Sequence, residues 1–125
     1  MHGTFCWNEL ASTDVEAAKQ FYVELFGWQL KKGDVEGMNY SEIVAGGRAV
    51  GGMYQTTPEC GNAPSHWMPY VAVDDVDETV KRVEALGGKV CVPPTDIPNV
   101  GRFSVINDPS GATISIIKFS GSQIS

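Results

Sequence analysis

Glu9 is the residue of this chain best placed to do chemistry. It lies in a run from Thr4 to Leu10 that reads as a strand, where residues two apart share a face, so Phe5, Trp7 and Glu9 stand together. A carboxylate held among aromatic rings and withdrawn from water has its pKa raised, which suits it to accept a proton or to anchor a cationic group. The alternative is a carboxylate near the strand end, solvated or paired with Arg102 or Arg48. Tyr70 stands 61 positions after Glu9, in a second strand-like run from Trp67 to Val73. A Glu and a Tyr facing each other there could hold one ligand between them.

Other chemistry has no residues to carry it. There is no G-x-S-x-G elbow, phosphate-binding G-x-x-x-x-G-K-[ST] loop, H-E-x-x-H pair or Cys/His cluster. His66, alone in the interior of the sequence, reads as a surface or capping hydrogen-bond partner, and His2 as a terminal, mobile one. Cys6, Cys60 and Cys91 are odd in number and widely spaced, which excludes a disulfide framework and a zinc knuckle. Cys6 and Cys91 fall in strand-like runs and read as small core residues. Cys60 sits between Pro58 and Gly61 and reads as an exposed, more reactive thiol.

The elements that must position these residues are written twice. Asp14-Val15 opens one helical pattern, Asp75-Val76 opens another 61 residues on, and Gly27 past the first helix is matched by Gly88 past the second. Ser12-Thr13-Asp14-Val15-Glu16 contains a T-x-x-E capping box, and Val15, Ala18, Tyr22 and Leu25 give the first helix an apolar stripe. Val76, Val80, Val83 and Leu86 do the same for the second. Strands are predicted over 28–32, 39–45 and 49–55 after the first helix, and over 89–92, 101–106 and 112–119 after the second. Gly33-Asp34, Gly46-Gly47 and Asp108-Pro109-Ser110-Gly111 mark turns. Pro93, Pro94 and Pro98 hold 93–100 extended at a sheet edge. The plan is therefore βαβββ twice: module one over about 4–56, a Pro/Gly-containing linker over about 57–65, and module two over about 66–119. A repeat of this length implies that each unit gives one sheet face to a helix and the other to a shared cavity.

With 125 residues and 42% hydrophobic content the chain fits one domain spanning 1–125. A net charge of −6, with only nine Lys and Arg, disfavours a nucleic-acid partner and draws cationic ligands weakly. No basic segment leads into an apolar run and no stretch approaches membrane-spanning length, so no membrane partner and a cytoplasmic location are expected.

Two βαβββ units, a helix ending in Phe26-Gly27-Trp28, and Asn107-Asp108-Pro109-Ser110-Gly111 before a last strand resemble the vicinal oxygen chelate superfamily, which includes glyoxalase I, bleomycin-resistance proteins and extradiol dioxygenases. Val50-Gly51-Gly52-Met53, the run from Pro69 to Val76 and the run from Ile97 to Phe103 extend the likeness. The resemblance implies an α+β fold in which a curved mixed sheet surrounds a cavity, and a homodimer that completes it. Metal-dependent members place His, Glu or Gln at positions that here correspond to Trp7, seven residues before Asp14, and Met68, seven before Asp75. The carboxylate position of the last strand corresponds to Ser115, and the equivalent strand of module one offers Gly51 and Met53. None suits a hard or borderline cation, so no metal and no cofactor are expected.

With Trp7, Met68 and Ser115 facing inward, alternation brings Phe5, Glu9, Tyr70, Ala72, Thr113 and Ile117 inward as well. Phe5, Trp7, Glu9, Met53, Met68, Tyr70, Phe103 and Ser115 form the expected ligand-binding set, with Glu9 the candidate catalytic residue. Its aromatic and apolar character fits a pocket for an aromatic or cationic small molecule, while core filling by the same side chains is the plainer alternative. The function expected is metal-independent binding, sequestering a drug or metabolite. The alternative is a metal-dependent lyase, isomerase or dioxygenase drawing on Glu9, Gln55 or Glu42.

Overall fold

The computed structural model describes residues 2–32, 40–56, 64–98 and 100–120. The Gly33-Asp34 turn, Asn99 and most of the linker, Cys60 included, lie outside them. Among the described residues the chain is α+β, with eight strands and two α-helices in the order βαβββ-βαβββ. It divides into two compact units, Trp7–Met68 and Met1–Cys6 with Pro69–Ser125.

The first unit is built from β1 (Phe5–Ser12), α1 (Val15–Phe26), β2 (Gln29–Lys32), β3 (Tyr40–Ala45) and β4 (Arg48–Gln55). Its strands lie in the order β2-β3-β4-β1; β4 runs parallel to β1 and antiparallel to β3. Gly46 and Gly47 both adopt positive φ, +61° and +78°, which closes the β3–β4 hairpin with the twist that flanking strands require. The second unit contains β5 (His66–Ala72) from Pro69 onward, α2 (Val76–Val83) with a 3-10 turn at Glu84–Leu86, β6 (Lys89–Ile97), β7 (Gly101–Asn107) and β8 (Thr113–Phe119). The order is β5-β8-β7-β6, with β5 and β8 parallel.

Both helices start as the repeat demands, the first by a different device from the capping box expected at Thr13. Asp14 Oδ1 accepts the Ala17 N–H at 3.2 Å, and Asp75 Oδ1 accepts the Glu78 N–H at 3.0 Å. Thr13 stands outside the helix, its N–H bonded to Ser65 Oγ at 2.9 Å, and Glu16 pairs with Lys19 instead of reaching back. The helix ends differ by one residue. Gly27 caps α1 at φ +72°, whereas α2 is capped by Gly87 at φ +91°, not by Gly88. The last turn of α2 tightens to 3-10 geometry, which has fewer residues per turn and brings the cap forward. Gly88 serves another purpose: a Cβ there would meet the Asn107 carbonyl oxygen at 2.6 Å, so the chain can turn closely past β7 only without one.

Each helix covers one face of its own strands. Val15 is fully buried among Leu10, Ile43 and Met53, with Ala18, Tyr22, Trp28 and Leu30 packed around them. Val76 packs on Val73 and Ile116, with Val71, Val80 and Ile106 beside them. Leu25 and Leu86, expected in the stripes, are 57% and 66% exposed; the helix-to-sheet contacts come from earlier turns. Arg102 ties the second unit together. It donates to both Asp77 oxygens at 2.9 Å and to Asp96 at 3.0 Å, linking α2 to β7 and β6.

β6 continues through Pro93 and Pro94, with register shifts after Val90 and Val92. It is the outer strand of its unit, as the missing proline N–H groups require. Cys91 is exposed on this strand and not a core residue, while Cys6 is half-buried and its thiol, pushed up by burial, donates to the Tyr70 carbonyl at 3.6 Å. His2 is held rather than loose, its Nδ1 accepting the Asp74 N–H at 3.0 Å.

Candidate functional site

Strand register decides which side chains share the face opposite each helix. In the first unit Glu9 pairs with Gly52, and Gly52 with Glu42 on its other side, so two carboxylates flank a position with no side chain. Trp7 alternates onto the same face, and Tyr40, opposite Tyr54, completes it. The Tyr40 phenol lies across Gly52, where any Cβ would collide with its hydroxyl. A glycine inside a strand often marks such a close approach.

The result is a connected set of polar groups. Trp7 Nε1–H donates to the Tyr40 hydroxyl oxygen at 3.1 Å, and that hydroxyl donates to Glu9 Oε2 at 2.8 Å. Burial, then the negative charge of Glu9, hold the Tyr40 phenol far above its ordinary range, with Glu42 adding in the same direction. Tyr40 is therefore a fixed proton donor throughout the physiological range. Its ring stacks on Tyr54 with centroids 6.4 Å apart and planes 16° from parallel. Lys31 is exposed and is the cross-strand neighbour of Glu42.

The face opposite α2 in the second unit has a different character. Tyr70, Ala72, Ser115 and Ile117 share it by register and are all buried. Phe103 is the cross-strand neighbour of Ile117, and Val105 that of Ser115. Ser115 is completely buried, and its hydroxyl has no hydrogen-bond partner. Ser104, equally buried on the helix side, donates to the Val92 carbonyl at 2.6 Å.

Register brings Trp7 and Glu9 together in the first unit, and Tyr70, Phe103 and Ser115 in the second. Phe5 is 70% exposed, and Met68 is half-buried in β5, two residues before Tyr70. Met53 does not join Glu9. It is the partner of Leu10, fully buried on the α1 side, and the residue beside Glu9 is Gly52. Gln55 is also occupied elsewhere: its Oε1 accepts the Val15 N–H at 3.0 Å and its Nε2 donates to the Thr13 carbonyl at 2.8 Å, which secures the start of α1. His66 bonds the Pro64 carbonyl through Nδ1, a surface contact. Tyr40, the hub of the site, was not among the residues singled out from the sequence. Tyr40 and Glu42 alternate along β3, and a strand glycine waits at Gly52; those are the signals that could have found it.

The positions that hold ligands in metal-dependent relatives carry an indole, two thioethers or a glycine, and a lone hydroxyl, none of them a fitting donor for a hard or borderline cation. Among the described residues no three His, Cys, Asp or Glu side chains gather as a metal group would require. A groove of about 400 Å³ runs along α2 between Val83, Leu86, Ile106 and Pro109, and none of the expected ligand-binding residues lines it.

A helix-covered βαβββ plan repeated with one face of each unit turned away from its helix defines a family. The chain belongs to the Glyoxalase/Bleomycin resistance protein/Dioxygenase superfamily, whose family model matches residues 5–116. It is 41% identical over 117 residues to the glyoxylase-named protein CFP32 of Mycobacterium tuberculosis, covering 93% of this chain and 44% of that one. It is 34% identical over 127 residues to the anthracycline biosynthesis protein DnrV of Streptomyces peucetius, covering 91% and 46%. The chain thus spans about half the length of these curated relatives. Among solved structures, methylmalonyl-CoA epimerase from Mycobacterium tuberculosis is similar with a TM-score of 0.67 at 15% identity, covering 95% of this chain and 89% of that one. That likeness is one of fold. Among the described residues no helix is long and apolar enough to cross a membrane.

Proposed function

We propose that this chain is a metal-independent small-molecule binding protein whose ligand, an aromatic cation, rests on the face of the first unit that carries Trp7, Glu9, Tyr40, Glu42 and Tyr54. The observation that carries this reading is the pairing of a carboxylate with stacked phenol rings beside a side-chain-free strand position. A cation over an aromatic face gains about 0.5–2 kcal/mol, more where a carboxylate shares it. Gly52 leaves room for the hydroxyl end of Tyr40, where a side chain would collide with it. A relative named for anthracycline biosynthesis supports an aromatic ligand. The protein is read as cytoplasmic, acting by sequestration and as a homodimer.

Calorimetric titration with benzamidine and its neutral counterpart benzamide, before and after EDTA treatment, tests the reading. Benzamidine is expected to bind more tightly than benzamide, unchanged by EDTA, and at least tenfold more weakly in Glu9→Gln. Stoichiometric metal in protein purified without chelator, with a melt lowered by EDTA, would overturn metal independence. Equal binding of the two probes would overturn the cationic ligand.

A further inference from the structure

Every residue that lines the groove along α2 belongs to the second unit, and none is shared with the face that carries Trp7, Glu9 and Tyr40. Its floor is apolar. Val83 is buried and Ile106 half-buried, and Pro109 stands beside Gly87, where a Cβ would meet the proline ring at 3.4 Å. Leu86, exposed although the stripe of the helix should bury it, lines the same groove. A volume of about 400 Å³ falls within the range of small-molecule sites, roughly 300–1,000 Å³. The eight residues of α2, at about 1.5 Å each, extend about 12 Å, which suits an elongated occupant.

Charge around the groove is unbalanced. The carboxylates of Asp74, Asp75, Glu78 and Asp108 line it, against one guanidinium, that of Arg82, and the imidazole of His2. Asp74, Asp75 and Glu78 gather at the start of α2. A helix N-terminus favours anions by about half a charge, but Asp75 already caps this one, and Asp77 and Glu78 occupy its first turn. Glu78 pairs with Lys81 at 3.2 Å, so part of its charge is offset. The Asp74 carboxylate is 85% exposed and lies 3.8 Å from His2 Nδ1. That nitrogen accepts the Asp74 N–H, so the ring is neutral in this arrangement and leaves the charge of Asp74 in place.

Arg82 lies seven residues past Asp75, two turns along the helix and next to Val83. A long arginine stem covers apolar surface while its guanidinium stays in water, so Arg82 does not require an anion beneath it. The groove therefore offers an apolar track with a negative end.

We propose that it is a second small-molecule site, for an amphipathic amine: an apolar chain laid along Val83, Leu86, Ile106 and Pro109, with its ammonium group at Asp74 and the start of α2. The inference is independent of the ligand proposed for the first unit. Apolar burial supplies most of the affinity, and the exposed carboxylates, screened by water and salt, set the preference for a cation.

Amide NMR titration of the full chain with octylamine, octanol and octanoate at low ionic strength decides it. Octylamine is expected to shift the amides of α2 and of residues 106–108, and to saturate at a concentration about threefold lower than octanol, with octanoate the weakest. Asp74→Asn should remove much of the preference for octylamine over octanol, and Leu86→Ser should weaken all three probes alike. Both substitutions fall at exposed side chains, and the spectra themselves report whether the fold is kept. Octanoate binding as tightly as octylamine would hand the groove to Arg82 and overturn the proposal. So would titrations that do not saturate, or octylamine shifts confined to β1 and β3. Octylamine binding in a chain that ignores benzamidine sinks the reading of the first unit alone.

Discussion

The two units share a plan and part company on one face. Against its helix, each buries a compact apolar set: Leu10, Val15, Ile43 and Met53 in the first, Val73, Val76 and Ile116 in the second. On the opposite face the first carries a hydrogen-bonded chain from Trp7 through Tyr40 to Glu9, while the second carries Tyr70, Ala72 and Ile117 around a hydroxyl with no partner. The helix-bearing face is constrained by packing, because burying the helix stripe is what holds the module together. The other face contributes less to that packing and can differ in chemistry while the fold stays the same. Polar groups hydrogen-bonded to one another hold a fixed geometry; an orphan hydroxyl among apolar side chains does not.

If that contrast is right, the largest effect comes from filling the space beneath Tyr40. Gly52→Val is expected to drive the phenol off the strand, break both of its hydrogen bonds and lower stability by about 2–4 kcal/mol, read by urea denaturation. Retention of wild-type stability would mean that the ring can relocate freely and that the site is not rigid.

Tyr40→Phe is gentler. It removes a donor to a carboxylate and an acceptor for an indole at a half-buried position, which should cost about 1–2 kcal/mol. The same variant tests the titration. A phenol whose folded pKa is raised stabilises the fold below the ordinary value of 10.0, and that contribution is lost as pH rises towards the folded pKa. In alkaline absorbance titration of the folded protein, one phenol is expected to titrate later than the others and to be missing from Tyr40→Phe. Four equivalent tyrosines would break the assignment.

The opposite sign is expected in the second unit. Ser115→Ala removes a buried hydroxyl that makes no hydrogen bond, so thermal stability should be unchanged or raised by up to about 1 kcal/mol. A clear loss would show that Ser115 has a partner and that the two faces are less different than they look.

The smallest effect is confined to acid. Asp77 is held below the ordinary carboxyl value of 3.8, chiefly by its hydrogen bonds from Arg102, and Asp108 is held below it by Ser110 and the Ala112 N–H. Carboxyls lowered in the folded state contribute stability above their unfolded value, and that contribution is lost as pH falls through the folded one. Melts between about pH 5 and 2 should lose less stability in Arg102→Gln than in wild type, since Asp77 no longer has its partner, while the share from Asp108 remains.

Much of the fold could be read from the chain because it depends on local rules. Asp14 and Asp75 open both helices, the Gly46-Gly47 hairpin and the Asp108 turn fall where composition puts them, and the prolines of β6 stay at an outer strand. The misreadings are equally local in origin. Thr13-x-x-Glu16 and the Asp14 carboxylate compete for the same helix start, and the aspartate wins because it reaches the free Ala17 N–H directly. Gly87 and Gly88 are both suitable caps on paper, and only the tightened last turn selects the first.

The candidate site was legible only in part. The sharing of a face by Trp7 and Glu9 follows from alternation within one strand, which a sequence displays. The place of Met53 does not, because Gly51 and Gly52 carry no side chain to mark which face is which. Cross-strand register sets it, through Leu10 opposite Met53 and Glu9 opposite Gly52. By itself, then, the sequence determined two βαβββ modules, their helix starts and the chemical character of β1. Tertiary structure alone decided that Tyr40, 31 residues from Glu9, lies across a strand glycine to meet it, because that contact depends on the pairing of three strands and on no local signal.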